Sequence, residues 1–386
     1  MAQQKWHQPQ GVPPPATEPK HLDFDTDYDA IVAKIDAIDP IKYAQTRNHT
    51  RGAVTYLSPY ISRGVISTRQ VLQALLAKGY QRHQMAKLVS ELAWRDYFQQ
   101  VHRHLGPRLF ADIKQPQPRV AHHNMVAALA TAQTGIHAID DHINLLITNG
   151  YMHNHVRMYF AALACNFGKA HWAAPAAWLY YHLLDGDLAS NICSWQWVAG
   201  SFSSKLYYCN QQNINTFTGS QQQGAFLDAD YEYLQQMAVP EVLQATVKLE
   251  LHTALPEVAP LQLDPNLPLL LYNSYNLDPL WRANETGNRV LVLEPSHFEA
   301  YPISQKVLQF VLALTQNIPK LQIFVGEVGE IPQLSEFTQV YHKEHPLCTH
   351  YPGMADARDW LVPEVSGYFP SFFAYFKRIE QLLPRG

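Results

Sequence analysis

None of the four cysteines in this 386-residue chain forms a Cys-x-x-C pair: Cys165, Cys193, Cys209 and Cys348 are scattered through it. That spacing carries no zinc-ribbon, redox or iron–sulfur signature, so no metal is expected, and the thiols are read as core residues of a protein from a reducing compartment. Long hydrophobic runs are lacking too. No stretch reaches the ~18 uninterrupted apolar residues of a membrane span, and the opening MAQQKWHQPQGVPPPATEP has no basic segment followed by an apolar one. A soluble, cytoplasmic location without membrane contact is the expectation. Charge is scarce: 16% of residues are Asp, Glu, Lys or Arg, with 29 basic against 33 acidic side chains and a formal charge of −4. Nothing global marks a nucleic-acid protein. The 26 prolines and 18 glycines follow no period, which excludes a collagen-like chain.

What is present is apolar. Hydrophobic residues make up 47% of a chain longer than one core normally serves, so two domains are expected. Charge divides unevenly between them: residues 1–225 carry 19 Lys/Arg against 14 Asp/Glu, net +5, and residues 226–386 carry 10 against 19, net −9. The front segment could meet a polyanion if its basic residues share a face. Residues 1–22 are Gln/Pro-rich, with three prolines at 13–15, and read as an extended tail. From Tyr28 a helical period begins with Ile31, Ile35 and Ile38, and Pro40 ends it. Helices are predicted over 65–76, 85–105, 134–149, 153–167, 175–184 and 188–198, which makes residues 23–225 a helical domain. Residues 226–264 connect it to a small α/β domain at 265–386. There the apolar runs 267–272, 289–293 and 321–325, with a helix over 304–316, imply a parallel sheet, and a helix over 371–383 closes the chain.

Four stretches carry chemistry. In ELAWRDYF, Glu91, Trp94, Arg95 and Phe98 share one helix face. In TYLSPYISRGVIS, Ser58 precedes Pro59 as an N-cap precedes a first-turn proline, and Thr55 and Ser58 have the hydroxyl chemistry to meet a phosphate. TNGYMHNHVRMYF projects Asn154, Arg157 and Met158 together, while the side chains of His153 and His155 point to different sides of a helix and so make a poor metal pair. LLDGDLASNICSWQWVAG opens a helix with Asp185 and Asp187 and continues to Asn191, Trp195 and Trp197. Two indoles beside two carboxylates suit a cofactor with a ring and polar edges better than simple capping, because a buried indole needs a partner for its N–H.

In this order and spacing, over about residues 30–220, the four stretches resemble the FAD-binding helical domain of the DNA photolyase and cryptochrome family. The fold class implied is mainly α: an all-helical FAD-binding domain of that kind, followed by the smaller α/β domain. The resemblance implies a folded FAD whose diphosphate and adjoining groups are held by Tyr43, Thr55, Leu57 and Ser58, with Arg95 near the phosphates. Arg157 and Asp185 would form an ion pair against the flavin ring, Asp187 would meet its polar edge, and Asn191 would lie beside N5. Glu91, Trp94, Asn154, Met158 and Trp197 match the wall of the cavity that receives a flipped pyrimidine dimer. Trp195 and Trp172 match the first two members of an electron-transfer chain. The activity implied is that of a deoxyribodipyrimidine photo-lyase, a carbon–carbon lyase that repairs damaged DNA by light-driven electron transfer. Glu91, if protonated, would donate a hydrogen bond to the dimer radical anion. The alternatives are a cryptochrome-like blue-light receptor with a protein partner at the C-terminal domain, and a photochemically silent flavoprotein.

The sequence departs from the family pattern at several points. The family's α/β antenna domain precedes the helices, whereas here the α/β segment follows them. His155 stands where an arginine is common, and the third tryptophan of the chain is missing near Arg119, so electrons would need another exit through a nearby tyrosine. Val54, Tyr56 and Leu88 replace Thr, Arg and an aromatic or polar residue of the usual flavin pocket.

Overall fold

The computed structural model describes residues 22–383, so the Gln/Pro-rich opening, but for its last residue, lies outside the described residues. The helix read from Tyr28 spans Tyr28–Asp36, and Pro40, expected only to end it, opens the next, α1 (Pro40–Thr46). Asp39 caps α1 by accepting from the amides of Ile41 and Lys42, which leaves the proline in the first turn, where no N–H is missed. In α2 (Ser58–Ser62) the N-cap is Leu57, not Ser58. The Ser58 hydroxyl is spent on the Asp185 carboxylate instead of on its own helix.

The spine is α3 (Arg82–Leu105), started by a Gln81–Gln84 capping box and stopped at Gly106. It is followed by α4 (Asn154–Ala162), which runs into a π-helical turn at Leu163–Phe167, then by α5 (Ala173–His182) and α6 (Leu188–Ala199). Asp187 caps α6 and a left-handed Gly200 ends it. The connecting segment folds back on the helices, because Thr246–Val247 pairs antiparallel with Met125–Val126. Among the described residues no helix is long and apolar enough to cross a membrane.

Five parallel strands follow: β1 (Leu269–Tyr272), β2 (Asn288–Leu293), β3 (Leu321–Val325), β4 (Val340–Lys343) and β5 (Met354–Asp356). Their order across the sheet is β3-β2-β1-β4-β5, with Leu271 lying between Val290 and His342. The first three strands are those the apolar runs predict; β4 and β5 were not foreseen. Alternate residues divide the sheet. Leu270, Tyr272, Leu291 and Leu293 join the core of the helical part, together with Val307 and Val311 of α7 (Gln305–Leu314), whereas Leu269, Leu271, Val290 and Val292 pack with Val328 and Phe337 on the other face. The two parts are further tied by Leu277 N–H to Arg63 O (2.9 Å) and Ser304 N–H to Tyr181 O (2.8 Å). The last helix, α8 (Phe372–Leu382), returns to α3 with Phe372, Tyr375 and Ile379 buried. A crevice of about 530 Å³ opens where the strand order reverses, lined by Thr68, Arg95, Asn276, Lys343, Arg358 and Trp360 among others.

Candidate cofactor site

Half of α3 and most of α4 and α6 are buried. On α3 Glu91, Trp94 and Arg95 are half-buried, after which Asp96 to His102 are all buried. On α4 Asn154 is exposed and Arg157 and Met158 are half-buried, against buried Val156, Tyr159 and Phe160. On α6 Asn191 is half-buried, Ser194 exposed and Trp197 43% exposed, in a helix otherwise sunk in the core. Since α6 packs against both α3 and α4, these residues lie on neighbouring helices. The motif residues Glu91, Trp94, Arg95, Asn154, Arg157, Met158, Asn191 and Trp197 are all among the uncovered positions, which also include Lys87, His155 and Ser194.

The charge centre is the Arg157–Asp185 pair. Arg157 Nη2 donates to both carboxylate oxygens at 3.0 and 2.9 Å, and its Nε donates to Met152 O at 2.8 Å. The backbone brings the two together at Gly150, where a left-handed residue (φ 75°) ends the preceding helix and its carbonyl accepts from Leu184 N–H at 2.9 Å. A side chain there would meet Leu184 Cγ at 2.6 Å. Burial pushes the Asp185 carboxyl up, but Arg157, Ser58 and Arg95 together hold it below the usual carboxylate value. Ser62 Oγ donates to Asp185 O (2.8 Å) and accepts from Arg95 Nη1 (2.7 Å), so Ser58, Arg95, Arg157 and Asp185 converge. Tyr151, whose ring lies 5.7 Å from the Arg157 guanidinium and 5.4 Å from the Tyr56 ring, forms the floor.

A second group surrounds Glu91. Its Oε1 lies 3.2 Å from Arg47 Nη2 and 3.3 Å from Lys87 Nζ, so any donation by this carboxyl must displace two cations. Burial, with Glu91 second, pushes the Tyr43 phenol well above its usual pKa. His155 stacks on Phe217 (4.4 Å, 23°), and burial with the charges of Arg47 and His49 pushes it down to about 4. It is therefore neutral near pH 7, and the permanent cation beside it is Arg47. Sequence reading passed over Arg47; its spacing of four residues from Tyr43 on the turn closing α1 was the available signal.

Other expected residues have partners within the protein. Thr55 Oγ1 only weakly accepts from Leu57 N–H, at 3.5 Å, and Leu57 is buried. Both Asp187 oxygens are engaged: Oδ1 accepts from Ser190 N–H (2.7 Å) and Oδ2 from Gln99 Nε2. Asn191 Nδ2 donates to Ala176 O (2.9 Å), which leaves its Oδ1 as the atom able to accept from a ligand. The Trp94 ring stacks on Phe372 of α8, at 3.6 Å and 8°. Trp195 meets Phe160 edge-on at 5.9 Å, and Phe160 stacks on Trp178 at 5.5 Å. Trp172 donates its indole N–H to Asp112 (2.7 Å), and near Arg119, where a third tryptophan was missed, the guanidinium meets the Tyr208 hydroxyl at 3.3 Å.

The donor set fits a folded flavin dinucleotide. Two guanidinium groups are fixed by buried partners, an exposed amide stands at Asn154, and indole and thioether surfaces at Trp197 and Met158 offer apolar walls.

Comparison with known proteins agrees. The family described as the FAD binding domain of DNA photolyase matches residues 88–264. A deoxyribodipyrimidine photo-lyase of Halobacterium salinarum is 28% identical over 214 residues, 53% of this chain and 43% of that protein. A cryptochrome DASH of Gloeobacter violaceus is 32% identical over 166 residues, 41% of this chain and 33% of that one. The matched stretches thus take in less than half the length of these relatives. Among solved structures, a Synechocystis sp. PCC6803 cryptochrome covers 58% of this chain and 49% of its own at 24% identity and a TM-score of 0.45.

Proposed function

The chain belongs, through the stretch matched at residues 88–264, to the DNA photolyase and cryptochrome family, and from that premise we propose that it is a FAD-dependent, light-driven repair lyase for pyrimidine dimers in DNA. The observation that supports this reading is that the motif residues of three helices packed side by side, α3, α4 and α6, are all among the positions left uncovered. Bound FAD would supply the light absorption and the transferable electron.

The chain's own residues have distinct tasks in this reading. Arg157, held rigid by Asp185 and Met152 O, would set a permanent positive charge against bound flavin and so favour its reduced, anionic form. Arg95 and Thr55 would meet the phosphates, the Ser58 hydroxyl being shared with Asp185. Asn191 would lie beside N5, and the Asp187 carboxylate would accept at the ring's polar edge. Trp197 and Met158 exclude water and offer stacking surface to a base flipped from the duplex. Arg47 and Lys87 could turn from Glu91 to DNA phosphates, and the carboxyl so released, once protonated, would donate to the lesion.

One observation favours a light receptor without repair: the Trp94 face that a dimer would use is covered by Phe372. A single experiment separates the two readings. Purified protein loaded with FAD is reduced and illuminated with blue or near-ultraviolet light in the presence of dimer-containing oligonucleotides. Repair predicts light-dependent loss of dimers, reduced several-fold by Glu91→Gln with FAD still bound. Spectral change without dimer loss supports the receptor, and a protein that stays colourless after reconstitution with FAD overturns both.

A further inference from the structure

The α/β part sends one cation into the back of the candidate flavin site. Arg358, in the loop after β5, donates from Nη1 to Gln99 Oε1 at 2.7 Å, and Gln99 Nε2 donates to Asp187 Oδ2. Gln99 is 1% exposed and Asp187 5%. A guanidinium can only donate and a carboxylate only accepts, so the Gln99 amide has one orientation that satisfies both neighbours. The loop that carries Arg358 is itself stapled. Its backbone N–H donates to Glu344 at 3.2 Å, Trp360 Nε1 donates to the same carboxylate at 2.9 Å, and Leu361 N–H donates to Asp96 of α3 at 2.7 Å. Arg358, Gln99 and Asp187 form a polar chain with a half-buried cation on the crevice wall at one end, a buried carboxylate at the other and a buried amide between them, the arrangement in which hydrogen bonds polarise one another. Asp187 has no slack left, because its other oxygen caps α6.

We propose that Arg358 is a positioning residue for the flavin site: acting through Gln99, it fixes the Asp187 carboxylate and offsets its charge, so that the α/β part sets the affinity and reduction potential of FAD bound among the helices. This rests on the reading that FAD lies against Asp187. Without the cation, the buried Asp187 carboxylate keeps only neutral donors, Ser190 N–H and Gln99 Nε2, and an anionic reduced flavin against it would be disfavoured.

The test uses the full-length chain loaded with FAD, comparing wild type with Arg358→Met, Arg358→Lys, Gln99→Leu and the Arg358→Met/Gln99→Leu pair. Arg282→Met, which breaks the ion pairs to Asp356 and Glu285 beside the same loop without cutting a bond of the relay, is the control. FAD affinity is read by fluorescence titration and the midpoint potential by spectroelectrochemistry. Arg358→Met and Gln99→Leu should each weaken FAD binding about tenfold, the scale of one charge-assisted hydrogen bond, and move the potential to more negative values. The pair should do no more than either single change, since both cut one relay. Arg358→Lys, which keeps charge and donor, should restore the potential, and Arg282→Met should leave it unmoved. Unchanged potential in Gln99→Leu, or a failure of Arg358→Lys to restore it, overturns the relay alone. A wild-type chain that binds no FAD overturns the relay together with the reading beneath it.

Discussion

At the scale of single residues the decisive groups are buried and ionised in pairs. Asp185 and Arg157 hold each other, and a buried pair costs most when one member is removed. Asp185→Asn is expected to lower stability by about 3–5 kcal/mol and to abolish FAD retention, checked by denaturant melts and by the visible spectrum of the purified protein. Because its folded pKa lies below the ordinary 3.8, the stability Asp185 contributes is present at neutral pH and is lost only as pH falls through that lower value. Asp96 behaves in the opposite sense. Burial raises it to about 6, despite help from Leu361 N–H, Arg358 and Thr68. The folded state then holds a proton that the unfolded chain has released, so stability from this group is full below about 3.8 and declines as pH rises to 6. Asp96→Asn, which keeps an acceptor for Leu361, should flatten that part of the melting-temperature profile; an unchanged profile would contradict the assignment.

At the scale of elements, α8 decides what α3 can offer. Phe372 is 5% exposed and stacked on Trp94, so Phe372→Ala should cost about 3–5 kcal/mol. It should also open an indole to acrylamide quenching. Under the repair reading, dimer-containing DNA should bind the variant more tightly than wild type, because the uncovered indole face becomes available for stacking. How elements were legible in the sequence follows from what stabilises them. The strands at 269–272, 288–293 and 321–325 were visible as short, mostly apolar runs. The sequences VYHK and MAD were not, because β4 and β5 are short, half-covered strands that exist by pairing with β1 and with each other. The same distinction holds at the site. Glu91, Trp94, Arg157, Asp185 and Trp197 sit in motifs with helical spacing and could be read directly. Arg47, Gln99, Phe372 and Arg358 occur in ordinary local sequence and reach the site only through tertiary packing from elements far apart in the chain.

At the scale of the whole molecule, buried imidazoles set the response to acid. Burial pushes His102, His155, His182 and His297 down to about 4 and His153 to about 3. Each is neutral in the folded state, whereas the unfolded chain takes up protons below 6.5, so stability should fall steadily from pH 6.5 to 4, against the single opposing slope of Asp96. Melts across that range check the sign. The core shared by the helices and one face of the sheet further predicts one cooperative transition, with near-ultraviolet and far-ultraviolet signals coinciding.

That shared core has a consequence for how the protein is made. The helices leave the ribosome first, with Tyr60 and Tyr180 bare, while the residues that cover them, Phe310 and Tyr275, are still to be translated. At about 5–20 residues per second the wait is on the order of ten seconds for Tyr180 and longer for Tyr60. For that interval the nascent chain displays a greasy, unfinished surface, and an order of synthesis that delivers the lid last makes the newborn protein a natural client of chaperones.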